Sequence, residues 1–153
     1  MRFLLIVFLF LTLPLSVFSQ KSFDKELNTL IDSWHLAATK TDFNTYFSKV
    51  SSDFVFLGTA PGERWEKAEF ESFCKPYFDN GKAWDFVPSN RNWKFADKGK
   101  FAFFDEDLAT WMEGCRGSGI CTKINGEWKI IYYNLTVLIE NEKIKSFISL
   151  RKE

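Results

Sequence analysis

Three acidic side chains, Asp105, Glu106 and Asp107, follow directly on the phenylalanines of the segment KFAFFDEDLATW. A carboxylate among aromatic rings is either a chemical group or one half of a buried ion pair, because burial penalises an unpaired charge. Alternate residues of a strand share a face of the sheet. One face of this segment therefore has Phe101, Phe103, Asp105 and Asp107. The other face has Ala102, Phe104, Glu106 and Leu108.

Whichever face turns inward, at least one carboxylate approaches an aromatic interior and needs a cationic partner. Arg64 and Arg116 are the predicted partners, because a guanidinium forms a two-pronged bond with a carboxylate that lysine cannot copy. Two interpretations stay open: a structural ion pair, or a group that faces a ligand. The candidates for a catalytic role are Asp105 as a base and Tyr132 as a hydrogen-bond donor.

His35 is the single histidine of the chain, which excludes metal sites built from several histidines and histidine relays. It stands beside Trp34, one position off the apolar stripe of a predicted helix, and is expected to be a boundary residue rather than a catalytic base. Gly117 and Gly119 have neither the spacing nor the strand–loop–helix context of a phosphate-binding loop. No metal and no cofactor is predicted.

Residues 1–19 begin with a basic residue, continue with an apolar run and end near the small Ser19, which is typical of a secretory signal peptide. The apolar run is shorter than the roughly 20 residues that span a membrane. The mature protein is therefore expected to be periplasmic or secreted, without membrane contact after cleavage. Residues 20–153 are long enough for one domain.

The charges balance, with 20 basic and 20 acidic side chains in the whole chain. Nucleic-acid binding is not expected, because no basic stripe is present. Aromatic residues make up 18% of the chain, including 18 phenylalanines and 6 tryptophans. Buried rings contribute most of the core area of such a chain, and a surplus is expected to line a pocket.

The chain has three cysteines, Cys74, Cys115 and Cys121. Thiols tend to pair in an oxidising compartment, so Cys115 and Cys121 are a possible disulfide that closes a small loop. Cys74 falls on the apolar stripe of a helix and is predicted to be a small buried hydrophobe.

The apolar spacing predicts three helices followed by a bent antiparallel sheet, an α+β fold in which the helices cover one face. Asp97-Lys-Gly99 and Asn125-Gly126 are hairpin signals. The second helix is expected to begin after an N-cap at Asp42. The predicted helices are 22–40, 43–50 and 70–78, and the predicted strands are 53–58, 63–65, 84–96, 100–112, 116–124 and 127–139.

The segments FLGTAPGERW, FFDEDLATW and RGSGICTKINGEWKIIYYNLTVLI resemble, in this order, the nuclear transport factor 2-like superfamily in its SnoaL-like branch. The resemblance covers residues 23–140 and implies a cone-shaped fold. Its most specific part is Gly126 and Trp128 entering the last strand, with polar residues four and six places after the tryptophan. Many relatives have histidine at one or both places, where this chain has Tyr132 and Asn134, so histidine-dependent chemistry is not implied.

The leading hypothesis is a secreted SnoaL-like protein that is dimeric through its sheet and binds a small, partly apolar ligand in an aromatic pocket, because aromatic residues are in surplus and acid–base groups are few. Two alternatives stay open: an enzyme of the isomerase, cyclase or dehydratase type that uses a pocket carboxylate, and a non-catalytic interaction module. Glu63 is expected at the pocket mouth or at the start of the third helix. The predicted ligand-binding residues are Glu63, Arg64, Trp65, Asp105, Arg116, Tyr132 and Asn134.

Overall fold

The structure is a computed structural model that describes the backbone of residues 15–152 and the side chains of residues 23–152. Most of the predicted signal peptide, residues 1–14, lies outside the described residues, and residues 15–19 form the beginning of the first helix. Within the described part, no helix has both the length and the apolar character needed to cross a membrane.

Two helices open the described chain, α1 (Leu15–Thr39) and α2 (Phe43–Ser48). Asp42 caps α2 as predicted, since its side chain accepts a hydrogen bond from the backbone N–H of Thr45 at 3.0 Å. The predicted apolar stripe of α1 faces the core, and its buried members are Leu27, Leu30, Ile31, Trp34 and Ala38, to which the structure adds Ala37.

A short hairpin of β1 (Val50–Leu57) and β2 (Arg64–Glu66) leads into α3 (Lys67–Asp79). Glu66 caps α3 in a capping box with Glu69, so Glu63 is not the capping residue. This leaves the Glu63 carboxylate free for another role.

Four longer strands complete the sheet: β3 (Val87–Ala96), β4 (Phe101–Thr110), β5 (Glu113–Ile124) and β6 (Glu127–Val137). Asn125 and Gly126 have φ angles of 52° and 85°, as the predicted type I′ turn requires. A helix that the sequence did not predict, α4 (Ile144–Leu150), follows β6.

The six strands form one curved, open sheet in the order β2-β1-β6-β5-β4-β3, with helices on its inner face. The α+β prediction is confirmed, with one correction. The sheet is not wholly antiparallel, because β1 and β6 pair in parallel. No hairpin connects these two strands, so no turn sequence reports their relative direction.

A β-bulge in β6 changes which side chains of this strand face the core. Tyr132 pairs with Ile120 and Ile130 pairs with Cys121, which leaves Ile131 as one extra residue. A one-residue shift exchanges the faces of all side chains beyond it. Trp128 and Ile130 are buried before the bulge, and Tyr133 and Leu135 are buried after it.

The disulfide suggested by the sequence must also be corrected, because Cys115 and Cys121 do not form a disulfide. Both are free and buried, and both lie on β5. Six residues of strand separate them by about 20 Å, whereas a disulfide joins Cα atoms less than about 7 Å apart. Cys74 is buried as predicted, and burial raises the pKa of its thiol.

Candidate ligand site

Glu106 is the acid that β4 turns into the protein interior. Its side chain is completely buried, whereas Asp105 is exposed on the outer face of the sheet. The alternation predicted for this strand is therefore confirmed, with the Ala102 to Leu108 set facing inward.

Four hydrogen-bond and charge contacts surround the Glu106 carboxylate. Its Oε1 accepts a hydrogen bond from the Tyr133 hydroxyl at 2.9 Å and lies 2.8 Å from Nε2 of His35. Its Oε2 accepts a hydrogen bond from Nε of Arg91 at 2.8 Å, and Nη2 of Arg91 lies 2.8 Å from the same oxygen. The carboxylate is fully satisfied without water, as a buried charge requires.

Arg91 also ties the sheet to α1. Its Nη1 donates to Oδ1 of Asn28 at 3.1 Å and lies 2.8 Å from Oδ1 of Asp32. Asn28 accepts a second hydrogen bond from the Trp93 indole at 2.9 Å. The cluster of His35, Arg91, Glu106 and Tyr133, called here the buried cluster, thus connects the first helix with three strands.

A β-bulge in β3 turns the side chain of Arg91 toward the interior. Ser89 pairs with Asp107 and Asn92 pairs with Asp105, so β3 has one residue more than β4 over this interval. Asn90 takes up the extra residue with a φ of 50°. The side chain of Arg91 then turns inward opposite Glu106, where only 9% of it is exposed.

The electrostatics of the cluster favour a charged Glu106. Burial raises the pKa of Glu106, but the hydrogen bond and charge of His35 and the charge of Arg91 outweigh burial and hold that pKa below its usual value. Burial, followed by the neighbouring Glu106 charge, raises the pKa of Tyr133 well above its usual value. Tyr133 therefore stays a neutral donor to an ionised carboxylate.

The predicted partners of the inward carboxylate are wrong. Arg64 is exposed and lies 3.8 Å from Glu66 in a surface pair. Arg116 is exposed and pairs across the sheet with Asp107, on the outer face. The actual partners come from α1 and β3, which the sequence separates from Glu106 by 71 and 15 residues.

A separate hollow of about 160 Å³ opens where β1, β2, α3 and the β4–β5 turn meet. Its wall is largely aromatic, and Glu63 is its one ionisable lining residue. The lining residues are Phe56, Gly58, Thr59, Glu63, Trp65, Phe70, Phe73, Trp84, Phe86, Trp111, Met112 and Leu135.

Two rings separate the hollow from the buried cluster. Phe56 lines the hollow and stacks on the Tyr133 ring at a centroid distance of 5.9 Å. Phe86 lines it as well and meets the His35 ring at 6.3 Å. None of the four cluster residues lines the hollow, so the structural ion-pair interpretation of the inward acid holds.

The structure brings only two of the predicted ligand-binding residues into the hollow, Glu63 and Trp65. Directly paired residues on neighbouring strands lie on the same side of a sheet. Ile120 pairs with the exposed Phe103 on β4 and with Tyr132 on β6. By this rule Tyr132 faces outward. The predicted residues that do not line the hollow are Arg64, Asp105, Arg116, Tyr132 and Asn134.

The proposed catalytic pair of Asp105 and Tyr132 does not meet in a cavity. Both residues lie on the outer face, and Asp105 is exposed. The bulge at Ile131 explains the error for Tyr132, because it moves Tyr133 rather than Tyr132 into the interior.

Sequence reasoning did not predict Arg91 and His35 as partners of Glu106 in the buried cluster. Arg91 alternates with Trp93 and Phe95 in SNRNWKF, and this charge among apolar neighbours was the available signal for an inward side chain. His35 had no comparable signal, since its neighbours on α1 do not distinguish a boundary position from a buried one. Among the described residues, no group of three or more histidine, cysteine or acidic side chains could hold a metal ion.

The fold and the hollow define a class of protein: a small α+β domain with helices on a curved sheet and an open aromatic hollow between α3 and the strands. The family model of the SnoaL-like domain matches residues 27–140, and the chain belongs to this family. No curated protein matches the sequence.

Three solved structures illustrate how well the fold is represented. A nuclear transport factor 2-like protein of unknown function from Pseudomonas putida KT2440 superposes with a TM-score of 0.65 at 14% identity, covering 80% of this chain and 92% of that one. A provisionally named scytalone dehydratase from Novosphingobium aromaticivorans DSM 12444 superposes with a TM-score of 0.66 at 9% identity, covering 80% of this chain and 89% of that one. A provisionally named dehydratase of the nuclear transport factor 2-like family from Streptomyces avermitilis superposes with a TM-score of 0.68 at 9% identity, covering 79% of this chain and 99% of that one. These likenesses show the fold alone.

Proposed function

We propose that this SnoaL-like protein binds a small, partly apolar molecule in the aromatic hollow. The observation that carries the proposal is the hollow itself, a ring-lined space of about 160 Å³ beside a core of stacked aromatic side chains. Ligand sites in proteins are concave and mostly apolar, with a few polar groups that orient the ligand. Glu63 and Thr59 are the polar side chains of this wall.

The size of the hollow limits the ligand. An apolar cavity of about 150 Å³ accommodates one benzene molecule. A ligand with a single ring or a short branched chain is therefore the expected occupant, and larger molecules would extend into the neighbouring groove. That groove shares Phe73, Trp84 and Trp111 with the hollow.

Binding is favoured over the enzyme alternative because the hollow lacks a pair of acid and base groups. Glu63 is its only ionisable residue, and the buried cluster lies behind Phe56 and Phe86. General acid–base chemistry of the isomerase or dehydratase kind needs a proton donor and acceptor at the bound substrate. The names of the dehydratase-like structures do not supply these groups.

The experiment is a thermal-shift and isothermal calorimetry screen with benzyl alcohol, indole and cyclohexanol as probes. A ligand at one hundred times its dissociation constant adds about 2.7 kcal/mol to the free energy of unfolding. Trp111→Ala is the informative variant, because Trp111 lines the hollow and is 81% exposed, so its loss should weaken binding without reducing stability.

Phe101→Ala is the matched control, since Phe101 is an exposed ring on the outer face of the sheet. Binding that is unchanged in this variant and weaker in Trp111→Ala supports the hollow as the site. If no probe binds, or if both variants weaken binding equally, the proposal is refuted.

A second candidate function is self-association through the outer sheet face, where Phe101 and Phe103 are exposed. This face also has charges of both signs, Asp105 on β4 and Arg116 on β5. A two-fold contact of the face with itself can then match opposite charges around an apolar centre. Sedimentation should give a dimer that Phe103→Lys converts to a monomer, and a monomeric wild-type protein would exclude this candidate.

Secretion is a further part of the proposal and depends on the composition of residues 1–19. Mass spectrometry of the protein from a cell that exports it should give a mature chain that begins close to Gln20. An uncleaved chain in the cytoplasmic fraction would contradict it.

A further inference from the structure

The charge environment of the hollow points to the chemical class of its ligand. We infer that the hollow binds a small organic cation, a methylated ammonium group or a protonated amine, between aromatic ring faces and the Glu63 carboxylate. This inference rests on the proposed function and goes beyond it by adding the charge of the ligand.

The Glu63 carboxylate lies at the hollow without a cation of its own. Its Oε2 accepts one hydrogen bond, from the backbone N–H of Ala60 at 2.9 Å. Among residues 23–152, no lysine, arginine or histidine forms a salt bridge with it, and its neighbour Arg64 contacts Glu66 instead. Lys82 lines the adjoining groove and is exposed, but it does not line the hollow.

The ring faces are the second attraction for a cation. An ammonium group within about 6 Å of a ring centroid is attracted by the negative face of the ring, most strongly by tryptophan. Trp65, Trp84 and Trp111 all line this hollow. Cages of aromatic rings are a known means of recognising quaternary ammonium groups.

The same chain uses this attraction elsewhere. The Lys123 ammonium lies 4.6 Å from the Phe23 ring centroid and 5.2 Å from that of Trp128. Within the described side chains, no lysine or arginine lies over a ring that lines the hollow. No lysine or arginine of the described side chains therefore competes with a ligand cation for the rings of the hollow.

The Glu63 carboxylate occupies the space that a side chain at Gly58 would fill. A Cβ atom at position 58 would lie 2.3 Å from Oε2 of Glu63 and 2.9 Å from its Cβ. These contacts are too short to persist, so a side chain at this position would force the Glu63 side chain to shift. Gly58→Ala therefore moves the charge of the hollow without removing it.

Calorimetry with two probes of the same shape isolates the role of charge. Choline carries a trimethylammonium group, and 3,3-dimethylbutan-1-ol replaces its nitrogen with carbon and is neutral. We expect choline to bind at least about tenfold more tightly, the ratio that a cation–π contact and one carboxylate together supply. Added salt should weaken choline binding and leave the alcohol unaffected.

Three variants test the residues. Glu63→Gln should remove most of the preference for choline while the alcohol binds as before, and Gly58→Ala should reduce it. Asp105→Asn is the control, because it removes the same charge from the outer face of the sheet. A loss of preference in Asp105→Asn as large as in Glu63→Gln would overturn the inference, because it would show a general charge effect.

The remaining outcomes separate this inference from the proposed function. Equal binding of the two probes overturns the cation inference and supports an apolar ligand site. Binding of benzyl alcohol or indole without binding of choline likewise overturns the cation inference and supports an apolar ligand site. If none of these probes binds, the inference and the proposed function fail together.

Discussion

The hydroxyl oxygen of Tyr133 occupies the space in which a side chain at Gly117 would begin. A Cβ atom on Gly117 would lie 2.0 Å from this oxygen and 3.1 Å from Cγ of Glu106. The absence of a side chain at Gly117 therefore leaves room on the inner face of β5 for the hydrogen bond from Tyr133 to the Glu106 carboxylate. Gly119 leaves similar room for Phe104, so the two glycines of β5 serve close packing.

Gly117→Ala should destabilise the protein by about 1–3 kcal/mol, the usual cost of inserting a methyl group into a filled interior. Urea unfolding followed by tryptophan fluorescence measures the change. Gly114→Ala is the matched control on the same strand, because no atom lies within 4 Å of its added Cβ. Equal stability of the two variants would contradict the packing described for Tyr133.

Glu106→Gln should destabilise the protein by about 3–5 kcal/mol at neutral pH, because the Arg91 guanidinium loses its buried partner and keeps only the exposed Asp32 as a charged contact. Asp105→Asn, one residue away and exposed, should leave the free energy of unfolding unchanged. Urea titrations of both variants and the wild type give the comparison. A Glu106→Gln protein as stable as wild type would show that the buried cluster is not stabilised by charge.

The stability difference between wild type and Glu106→Gln should also depend on pH. The folded pKa of Glu106 is held below its ordinary value of 4.5, so its ionised form stabilises the fold at pH values above 4.5. This contribution is lost as the pH falls through the lower, folded value. Urea titrations between pH 5 and pH 3 should therefore show the difference narrowing, and a difference that grows on acidification would contradict it.

The three cysteines should resist thiol reagents in the folded protein. Cys74, Cys115 and Cys121 are all buried, and burial raises the pKa of the Cys74 and Cys121 thiols, which disfavours the reactive thiolate. A chromogenic disulfide reagent should label none of them in buffer and all three in guanidinium chloride. Mass spectrometry that found a bridge between Cys115 and Cys121 would contradict the described strand β5.

Removal of residues 141–153 should leave the domain folded. α4 has no buried residue, and Ile144, Phe147 and Ile148 on it are all at least 38% exposed. The family match also ends at Glu140. A truncated chain should keep its melting temperature within a few degrees, whereas loss of cooperative unfolding would show that α4 contributes to the core.

The sequence by itself determined the class of the fold, because that information is local. Helical spacing fixed α1 and its stripe, Asp42 fixed the start of α2, and Asn125-Gly126 fixed the last hairpin. Alternation on β4 also defined the two faces correctly, and an inward acid in need of a partner followed from its apolar neighbours.

The tertiary structure decided which groups meet. A bulge adds one residue without any marker in the local pattern, so the inward position of Tyr133 and the outward position of Tyr132 became visible only through the strand register. His35 reaches Glu106 across 71 residues of chain, through the packing of α1 on the sheet. Periodicity reports the environment of a side chain along one element, whereas partners and cavities depend on how separate elements pack together.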